Sequence, residues 1–281
     1  MPRLKLTAEN YYSDEANRQY MSASQWKSFL RCESAALAEL KGEWNRPSTT
    51  ALLIGSYVDA YFSNELEQFV AEHTEIYKKD GTLKADFQKA QDICERLNRD
   101  ELARMLLSGR HQVIKTGKIG NVWFKAKYDS LLSTNQVEAI CEKFPAVREI
   151  VPFGGPIIVD LKCMRDFEDI WDEELQEKVS FAEFWGYTLQ GAVYQKLDKR
   201  MAPFVIVGAT KEAATDIEAM YIPDDDLSFA LSEVEALAPR YSAIKQGKID
   251  PEGCGKCAYC RHTKRLSAIK HYKKLGRMDA L

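Results

Sequence analysis

The chain of 281 residues has no apolar run that could cross a membrane. Its longest uninterrupted apolar stretches, such as residues 156–159, fall far short of the ~18 residues that a membrane-spanning helix needs. Residues 1–7 include no apolar segment followed by small residues, so we expect no secretory signal, no membrane partner and a cytoplasmic location. With 45% hydrophobic and 29% charged residues, the composition also excludes a disordered or collagen-like chain.

The sequence also lacks an excess of positive charge. Its 39 basic and 42 acidic residues give a net charge of −3, which argues against a protein that coats nucleic acid non-specifically. The charge is unevenly distributed, because residues 255–278 carry eight basic residues and no acidic one, whereas residues 166–177 carry seven acidic residues and no basic one. Blocks of this kind are solvated faces or interaction surfaces.

The hydrophobic pattern predicts a mixed α/β (α+β) fold, in which a mainly helical first hundred residues precede a small sheet flanked by helices. Ser22 and Gln25 have the spacing of a helix capping box, and apolar residues follow at helical spacing as far as Gly42. Period-two alternation replaces this pattern after residue 110. We predict helices over residues 22–42, 50–62, 84–107, 135–144, 181–197 and 226–245, and strands over residues 111–115, 121–132, 157–162, 204–210 and 217–222.

Two of the predicted strands carry ionisable residues on a shared face. The two-residue period places Asp160 and Lys162 on one face of the third strand, and Lys125, Lys127 and Asp129 on one face of the second. A hydrolytic Mg²⁺ site needs a few carboxylate oxygens and open positions for water and phosphate. The two aspartates could supply those oxygens, and Lys162 could hold the attacking water or stabilise charge on the phosphate. The alternative is an ion pair on an exposed strand.

Two helices carry further polar residues at helical spacing. Gln190 and Tyr194 lie one turn apart on one face of the helix that follows the Asp160 strand. Upstream, Asp59 lies on a helix in which Gly55 permits close backbone approach. Each pair alone is a weak signal.

Seven cysteines in a chain with no expected secretory signal indicate reduced thiols rather than a disulfide framework. Three isolated cysteines are expected to be buried small apolar residues, namely Cys94, Cys141 and Cys163. Cys254, Cys257 and Cys260 differ, because two successive two-residue spacings let three thiols converge on one metal. A tetrahedral site needs a fourth ligand, for which the candidates are Cys32, His262 and His271.

The order of these residues along the chain resembles the PD-(D/E)XK nuclease superfamily, in its RecB-like branch and with the RecE-type exonucleases of phages and prophages as the nearest likeness. The order is Gly55-x-x-x-Asp59, Asp129, Asp160-Leu-Lys162 and Gln190-x-x-x-Tyr194. The resemblance implies a restriction-endonuclease-like core and a single nuclease domain over residues 1–281. Within it, we expect a helical part (1–108), a catalytic sheet with helices (109–246) and a cysteine-bearing basic tail (247–281).

The resemblance also implies an activity, namely metal-dependent digestion of linear double-stranded DNA from its 5′ ends, without ATP. The sequence has no Walker A motif, which agrees with independence from ATP. The 3′ single strands that remain would be used by a RecT-type annealing protein in a bacterial host cell, and related enzymes are trimers or tetramers that encircle DNA. The alternatives are a nuclease acting on single strands or CRISPR spacer precursors, and a non-catalytic DNA-binding recombination accessory protein.

Carried over residue by residue, the resemblance makes Asp129 and Asp160 ligands of Mg²⁺ or Mn²⁺, Lys162 the catalytic lysine, and Gln190 and Tyr194 accessory residues. Asp59 stands where the family usually has histidine, and its carboxylate is still a competent ligand for either metal. The interval between Asp129 and Asp160 is long for this branch, and residues 135–144 look like an inserted helix.

Some RecB-like nucleases carry a 4Fe-4S cluster on one cysteine of an N-terminal helix and three cysteines near the C-terminus. Cys32 stands at the first of these positions, although the spacing of Cys257 and Cys260 is shorter than in those families. An iron-sulfur cluster is therefore expected first, Zn²⁺ second, and free thiols otherwise. The basic residues expected to contact DNA phosphates are Lys125, Lys127, Lys264, Arg265, Lys270, Lys273 and Lys274, with the acidic run 166–177 away from the duplex or against a basic partner.

Overall fold

The computed structural model describes residues 3–46, 49–269 and 271. The helices are α1 (Asp14–Gln19), α2 (Ala23–Arg31), α3 (Glu33–Leu40), α4 (Thr50–Phe62), α5 (Leu66–Glu72), α6 (Ala85–Arg99), α7 (Glu101–Leu106), α8 (Thr134–Lys143), α9 (Phe181–Phe184), α10 (Tyr187–Leu197), α11 (Asp224–Lys245) and α12 (Ala258–Thr263). The strands are β1 (Arg110–Ile119), β2 (Val122–Leu132), β3 (Ile157–Met164), β4 (Ile170–Asp172), β5 (Glu177–Val179), β6 (Phe204–Thr210) and β7 (Ile217–Tyr221). Two short 3₁₀ helices cover Thr74–Ile76 and Pro145–Glu149. None of the described helices is long and apolar enough to cross a membrane.

Five strands form one mixed sheet in the order β1-β2-β3-β6-β7. The central strand β3 runs parallel to β6, and the other neighbours are antiparallel. A parallel pair needs a crossover connection, which the segment with α9 and α10 supplies. The predicted mixed sheet flanked by helices is therefore confirmed.

Two hydrophobic cores cover the two faces of the sheet. The first core packs β2 and Ile158 against α2, α10 and α11, and the second core packs Ile157, Val159 and Leu161 against α4, α6, α7 and α8. Strand alternation therefore directs Asp160, two residues after Ile158, toward the helices of the first core. The catalytic candidates lie where that core gives way to polar side chains.

Three predicted helices are each broken in the structure. The first breaks at Cys32, which has extended backbone (φ −169°) and separates α2 from α3. The second breaks at Asp100, whose side chain caps α7 by accepting a hydrogen bond from the Ala103 amide. The third breaks at Gly186, which takes the left-handed conformation (φ 63°) that favours glycine. Each break redirects the chain, so Cys32 stands at a junction rather than within a helix.

Strands β2 and β3 pair over only three residues and then separate. The paired residues of β2 are Ser130, Leu131 and Leu132. Beyond them, β2 takes a different neighbour, because its Trp123 carbonyl accepts from the Met21 amide (2.8 Å) and its Lys125 amide donates to the Met21 carbonyl (2.8 Å). The separation leaves an opening between β2 and β3.

The acidic run 166–177 includes a small hairpin of β4 and β5, which the sequence pattern did not predict. Glu174, which lies in the turn between β4 and β5, forms an ion pair with Lys256 of the cysteine-bearing tail. The acidic and basic blocks therefore touch each other within the chain. That the acidic block lies away from the duplex or against a basic partner stays a prediction.

Candidate active site

The opening between β2 and β3 brings together residues from four distant parts of the sequence. It is a cavity of about 450 Å³, called here the inner cavity. Its polar lining includes Asp59 of α4, Lys125, Lys127 and Asp129 of β2, Asp160 and Lys162 of β3, and Gln190 and Tyr194 of α10. All the residues predicted for the nuclease site thus surround one space.

Asp160 is the most constrained of the carboxylates, with 1% of its surface exposed. Its Oδ1 accepts a hydrogen bond of 2.8 Å from Nε2 of Gln190, and its Oδ2 forms an ion pair with the ammonium of Lys162. That Oδ2 is buried, and the Lys162 ammonium is its one partner among the described residues. A buried carboxylate oxygen with only a cation beside it can take a further cationic ligand.

Asp129 lies at an irregularity of the β1–β2 hairpin. Tyr128 and Leu131, three residues apart, both belong to the first core, which strict alternation would not allow. Opposite Asp129, Gln112 of β1 has a left-handed backbone (φ 52°), and these two residues are left out of the regular pairing although the register is the same on both sides of them. The irregularity directs Asp129 into the opening, where its Oδ2 accepts a 2.9 Å hydrogen bond from the Leu161 amide.

The carboxyl groups of Asp129 and Asp59 hold protons more tightly than usual. Burial, followed by the charges of Asp160 and Asp59, raises the pKa of Asp129 well above its ordinary value. Burial also raises the pKa of Asp59, although Lys162 and Lys127 oppose that rise. We expected a close backbone approach at Gly55, one turn before Asp59. No such approach occurs, because a Cβ at Gly55 would meet no atom within 4 Å.

Lys162 is held as a cation. Burial alone would lower the pKa of its ammonium, but the carboxylates of Asp160 and Asp129 raise it above the ordinary value. The ring of Tyr187 lies 5.7 Å from Nζ and adds a cation-π contact. Lys162 therefore stays protonated at neutral pH.

Tyr194 connects α10 to β2. Its hydroxyl donates a 3.1 Å hydrogen bond to the Lys127 carbonyl, and the Tyr128 hydroxyl donates a 2.7 Å bond to the Tyr194 carbonyl. Burial raises the pKa of Tyr194 well above its usual value. Tyr194 is thus a neutral group that fixes the distance between the helix of Gln190 and the strand of Asp129.

The aspartates suit a hard divalent cation that keeps some of its water. Asp59, Asp129 and Asp160 line one cavity, the charges of Asp160 and Asp59 raise the pKa of Asp129, and Oδ2 of Asp160 has only the Lys162 ammonium beside it among the described residues. Their oxygens are not packed as closely as the cysteine sulfurs, which form the only group of three or more candidate ligands within 4.8 Å in the part of the chain that the structure describes. An open carboxylate set of this kind is typical of Mg²⁺.

A second, larger cavity of about 820 Å³ adjoins the same residues and is called here the basic cavity. It shares Asp59, Asp129, Lys162 and Gln190 with the inner cavity. Cations outnumber carboxylates in its lining, and the cations are Lys27, Arg31, Arg46, Lys162, Arg165 and Lys211. The sequence analysis identified only Lys162 among these six. Lys27 and Arg31 lie one turn apart on the amphipathic helix α2, and this spacing is the sequence signal that could have indicated part of the basic cavity.

The residues predicted to contact DNA fall into four groups. Lys127 lines the inner cavity with its ammonium 4.7 Å from the Tyr12 ring. Lys125 requires a correction, because it is 2% exposed and its ammonium donates to the Tyr11 carbonyl and to Oδ1 of Asn17 (2.8 Å), an internal role. Lys264 and Arg265 are exposed after α12 and line neither cavity. The remaining three, Lys270, Lys273 and Lys274, lie outside the described residues.

The four cysteines of the predicted metal centre converge. The sulfur atoms of Cys32, Cys254, Cys257 and Cys260 all lie within 4.8 Å of one another. Burial would raise the pKa of the Cys254 thiol, but hydrogen bonds from the amides of Lys256 and Cys257 lower it to about 7. Cys94 and Cys141 are buried as expected, and Cys163 is half-buried in the wall of the basic cavity. The structure therefore selects Cys32 as the fourth sulfur rather than a histidine.

Comparison with known families identifies this arrangement. Residues 22–139 and 154–263 match the model of a family described as a PDDEXK-like domain of unknown function (DUF3799). The chain belongs to this PDDEXK-like family. It is also similar to a crystal structure from Eubacterium rectale described as a "putative exonuclease", with 36% identity, a TM-score of 0.84, and coverage of 97% of this chain and 98% of that one. No curated protein matches the chain.

The predicted membership of the PD-(D/E)XK nucleases, and with it the prediction of a deoxyribonuclease, is confirmed. The internal interval that the PDDEXK-like family model leaves unmatched is residues 140–153. It lies in the long interval between Asp129 and Asp160, but it includes only the second half of the predicted inserted helix (135–144), because the family model matches residues 135–139. Val137, Ile140 and Cys141 pack α8 into the second core, and α8 lines neither cavity.

Proposed function

We propose that the chain is a metal-dependent, ATP-independent exonuclease that digests linear double-stranded DNA from its 5′ ends. The observation that carries the proposal is the position of Asp160 in the inner cavity, where it is held between Gln190 and Lys162, two residues that line both the inner cavity and the basic cavity. A phosphodiester bound there meets carboxylates, a fixed ammonium and a cation-lined approach.

Asp129 and Asp160, with Asp59 facing them, would hold Mg²⁺ or Mn²⁺, which supplies a Lewis acid for the phosphate and lowers the pKa of bound water. The raised pKa of Lys162 keeps its ammonium charged, so it stabilises negative charge on the phosphate and does not accept a proton. Gln190 fixes the orientation of Asp160 by its hydrogen bond to Oδ1. Tyr194 keeps α10 in register with β2.

The preference for DNA ends, the 5′ to 3′ polarity and the supply of 3′ single strands to a RecT-type annealing protein rest on the resemblance to RecE-type exonucleases. The similarity to the Eubacterium rectale protein supports the exonuclease part. We further propose a trimer or tetramer that encloses the duplex, acting in the cytoplasm of a bacterial host. Cations around the basic cavity supply phosphate contacts that carry no sequence information.

The cysteine centre is proposed as a metal site that joins the helical N-terminal part to the tail. Four thiolates suit soft or borderline metals. A 4Fe-4S cluster and Zn²⁺ both take such ligands, so the ligand type alone leaves both metals open.

The proposal is tested with linear duplex DNA labelled at one 5′ end or at one 3′ end, in Mg²⁺ or EDTA. We expect early release of the 5′ label, loss of release in EDTA, and at least a ~100-fold lower rate for Lys162→Ala and Asp160→Asn. The matched control is Lys248→Ala, because Lys248 is an exposed lysine outside both cavities. Full activity of either active-site variant would contradict the mechanism.

The same experiment with single-stranded DNA separates the alternatives. Faster digestion of single strands than of duplex ends would favour a nuclease for single strands or spacer precursors. Binding of DNA without any metal-dependent product would favour a recombination accessory protein, and Asp59→His would then be the first variant to examine.

A further inference from the structure

The spacing of the cysteine sulfurs distinguishes one metal ion from a cluster. All four sulfur atoms lie within 4.8 Å of one another, and those of Cys32 and Cys260 are 3.6 Å apart. Zinc–sulfur bonds of about 2.3 Å in a tetrahedron place sulfurs ~3.8 Å apart. In a 4Fe-4S cluster each cysteine binds a different iron, so the four sulfurs stand farther apart than around one shared ion.

Backbone packed against the sulfurs limits the space for a larger group. A Cβ on Gly253 would lie 3.2 Å from Sγ of Cys260, a tight contact, and 3.6 Å from Oγ of Ser34, so the Gly253 backbone lies close beside this sulfur. The amides of Cys257 and Cys260 each donate to the sulfur three residues earlier, at 3.3 and 3.4 Å. The backbone therefore follows the sulfurs closely in their present grouping.

The two sides of the centre are also tied together by bonds that do not involve sulfur. The Ser34 amide donates to the Glu252 carbonyl (3.0 Å), and the Glu252 amide donates to the Glu33 carboxylate (2.8 Å). Arg240 of α11 pairs with both Glu33 and Glu252. Widening the group of sulfurs to hold a cluster would break this network.

We infer that Cys32, Cys254, Cys257 and Cys260 bind one tetrahedral Zn²⁺ and not the 4Fe-4S cluster that the resemblance implies. The four thiolates fill every position of a tetrahedral ion, which is typical of a structural zinc site and leaves no place for a substrate. The ion connects the α2–α3 junction to the tail after α11. It stabilises the fold and takes no part in hydrolysis.

The test is the metal and sulfide content of the full chain, purified under nitrogen and without a histidine tag. We expect about one zinc per chain, no acid-labile sulfide and no visible absorption, with tetrahedral thiolate bands when Co²⁺ replaces Zn²⁺. Cys260→Ala should lose the zinc. Cys141→Ala, which removes a buried cysteine elsewhere, should keep it.

Each other outcome overturns the inference. Iron and sulfide in equal amounts, with the brown colour of a cluster, would establish the 4Fe-4S centre. Zinc that persists in Cys260→Ala at full stoichiometry would place the ion elsewhere. A chain that has no metal as purified and binds neither Zn²⁺ nor Co²⁺ on addition would leave four free thiols. If Cys260→Ala fails to fold, the Co²⁺ spectrum of the unmodified chain still decides between thiolate ligation and another site.

Discussion

The carboxyl group of Asp129, a proposed metal ligand, is unfavourable to the fold when ionised. It is buried in the opening between β2 and β3, where Asp160 and Asp59 add negative charge and only the Leu161 amide and Lys162 compensate. Its raised pKa means that the folded chain binds a proton there more tightly than the unfolded chain does. Such a group stabilises the fold at low pH and loses that contribution as pH rises through the folded pKa.

Asp129→Asn should therefore flatten the pH dependence of stability in the absence of metal. From about pH 4, the ordinary aspartate range, the free energy of unfolding of the original chain should fall toward pH 8, and that of the variant should fall less. The asparagine keeps an oxygen to accept from the Leu161 amide, so the strand contact survives. Thermal unfolding in EDTA at a series of pH values measures the effect.

Added Mg²⁺ gives the matching control at the same residue. The metal should raise the melting temperature of the original chain at pH 8, because a ligand that binds only the folded state stabilises it. The variant should show a smaller rise. Parallel pH curves for the two chains would mean that ionised Asp129 does not destabilise the fold. An equal response to Mg²⁺ would mean that Asp129 does not bind the metal.

At the scale of helices and strands, the sequence predicts those elements whose bounds depend on the local pattern of residues. The helix over residues 50–62 has its observed bounds, and the strands of the sheet lie within a few residues of the prediction. The breaks at Cys32 and Gly186 were missed because hydrophobic spacing continues through them. The capping box at Ser22 forms only in part, since Gln25 instead bonds the Asn17 carbonyl and accepts from Lys245.

The candidate site was predictable to the extent that it follows from strand alternation and helical spacing. Asp160, Lys162, Gln190 and Tyr194 were found in this way. The separation of β2 from β3 was not, because it depends on Met21 replacing β3 beside β2, a contact across about a hundred residues. The cations of the basic cavity come from distant parts of the chain, so the sequence pattern indicated only Lys162 among them.

Helix α10 carries Gln190 to Asp160 by packing closely on the sheet, and this closeness depends on Gly191. A Cβ on Gly191 would lie 2.5 Å from Cδ1 of Phe204 and 2.8 Å from Cδ2 of Leu227. Gly191→Ala should lower the free energy of unfolding by up to ~2 kcal/mol, since overpacking costs ~1–3 kcal/mol against a helix gain of ~1 kcal/mol. It should also lower kcat by displacing Gln190.

Gly55→Ala is the matched control for this prediction. Gly55 also lies within a helix, but its Cβ would meet open space. We expect the free energy of unfolding to rise by ~0.5–1 kcal/mol, the helix propensity gain alone. Denaturant unfolding of both variants measures the difference, and a stabilised Gly191→Ala would show that α10 can move away from the sheet without cost.

At the scale of the whole molecule, charge is separated rather than balanced locally. The chain is acidic overall, yet the basic cavity beside the aspartates is lined by six cations. The acidic hairpin is joined to the basic tail through Glu174 and Lys256. This arrangement attracts phosphates to the active site and not to the surface at large.

Lys27 is the cation through which this argument can be tested. Its ammonium lies in the basic cavity near Lys162, donates one 3.1 Å hydrogen bond to the Trp185 carbonyl, and has protons left for a phosphate. Burial and the charge of Lys162 lower its pKa to about 8, so it is charged at neutral pH. Lys27→Met keeps the apolar stem that packs near Gly186 and removes the ammonium, with its charge and its hydrogen bond to the Trp185 carbonyl.

Binding of a short duplex in EDTA, measured from low to moderate salt, should show the loss of one phosphate contact. The slope of log K against log salt should be smaller by ~1 for Lys27→Met than for the original chain. The difference should narrow above pH 8, where Lys27 loses its proton. Lys248→Met removes an exposed lysine outside both cavities and should keep the original slope. Equal slopes for Lys27→Met and the original chain would mean that DNA approaches the aspartates by another route, with the inner cavity and Lys127 as the remaining approach.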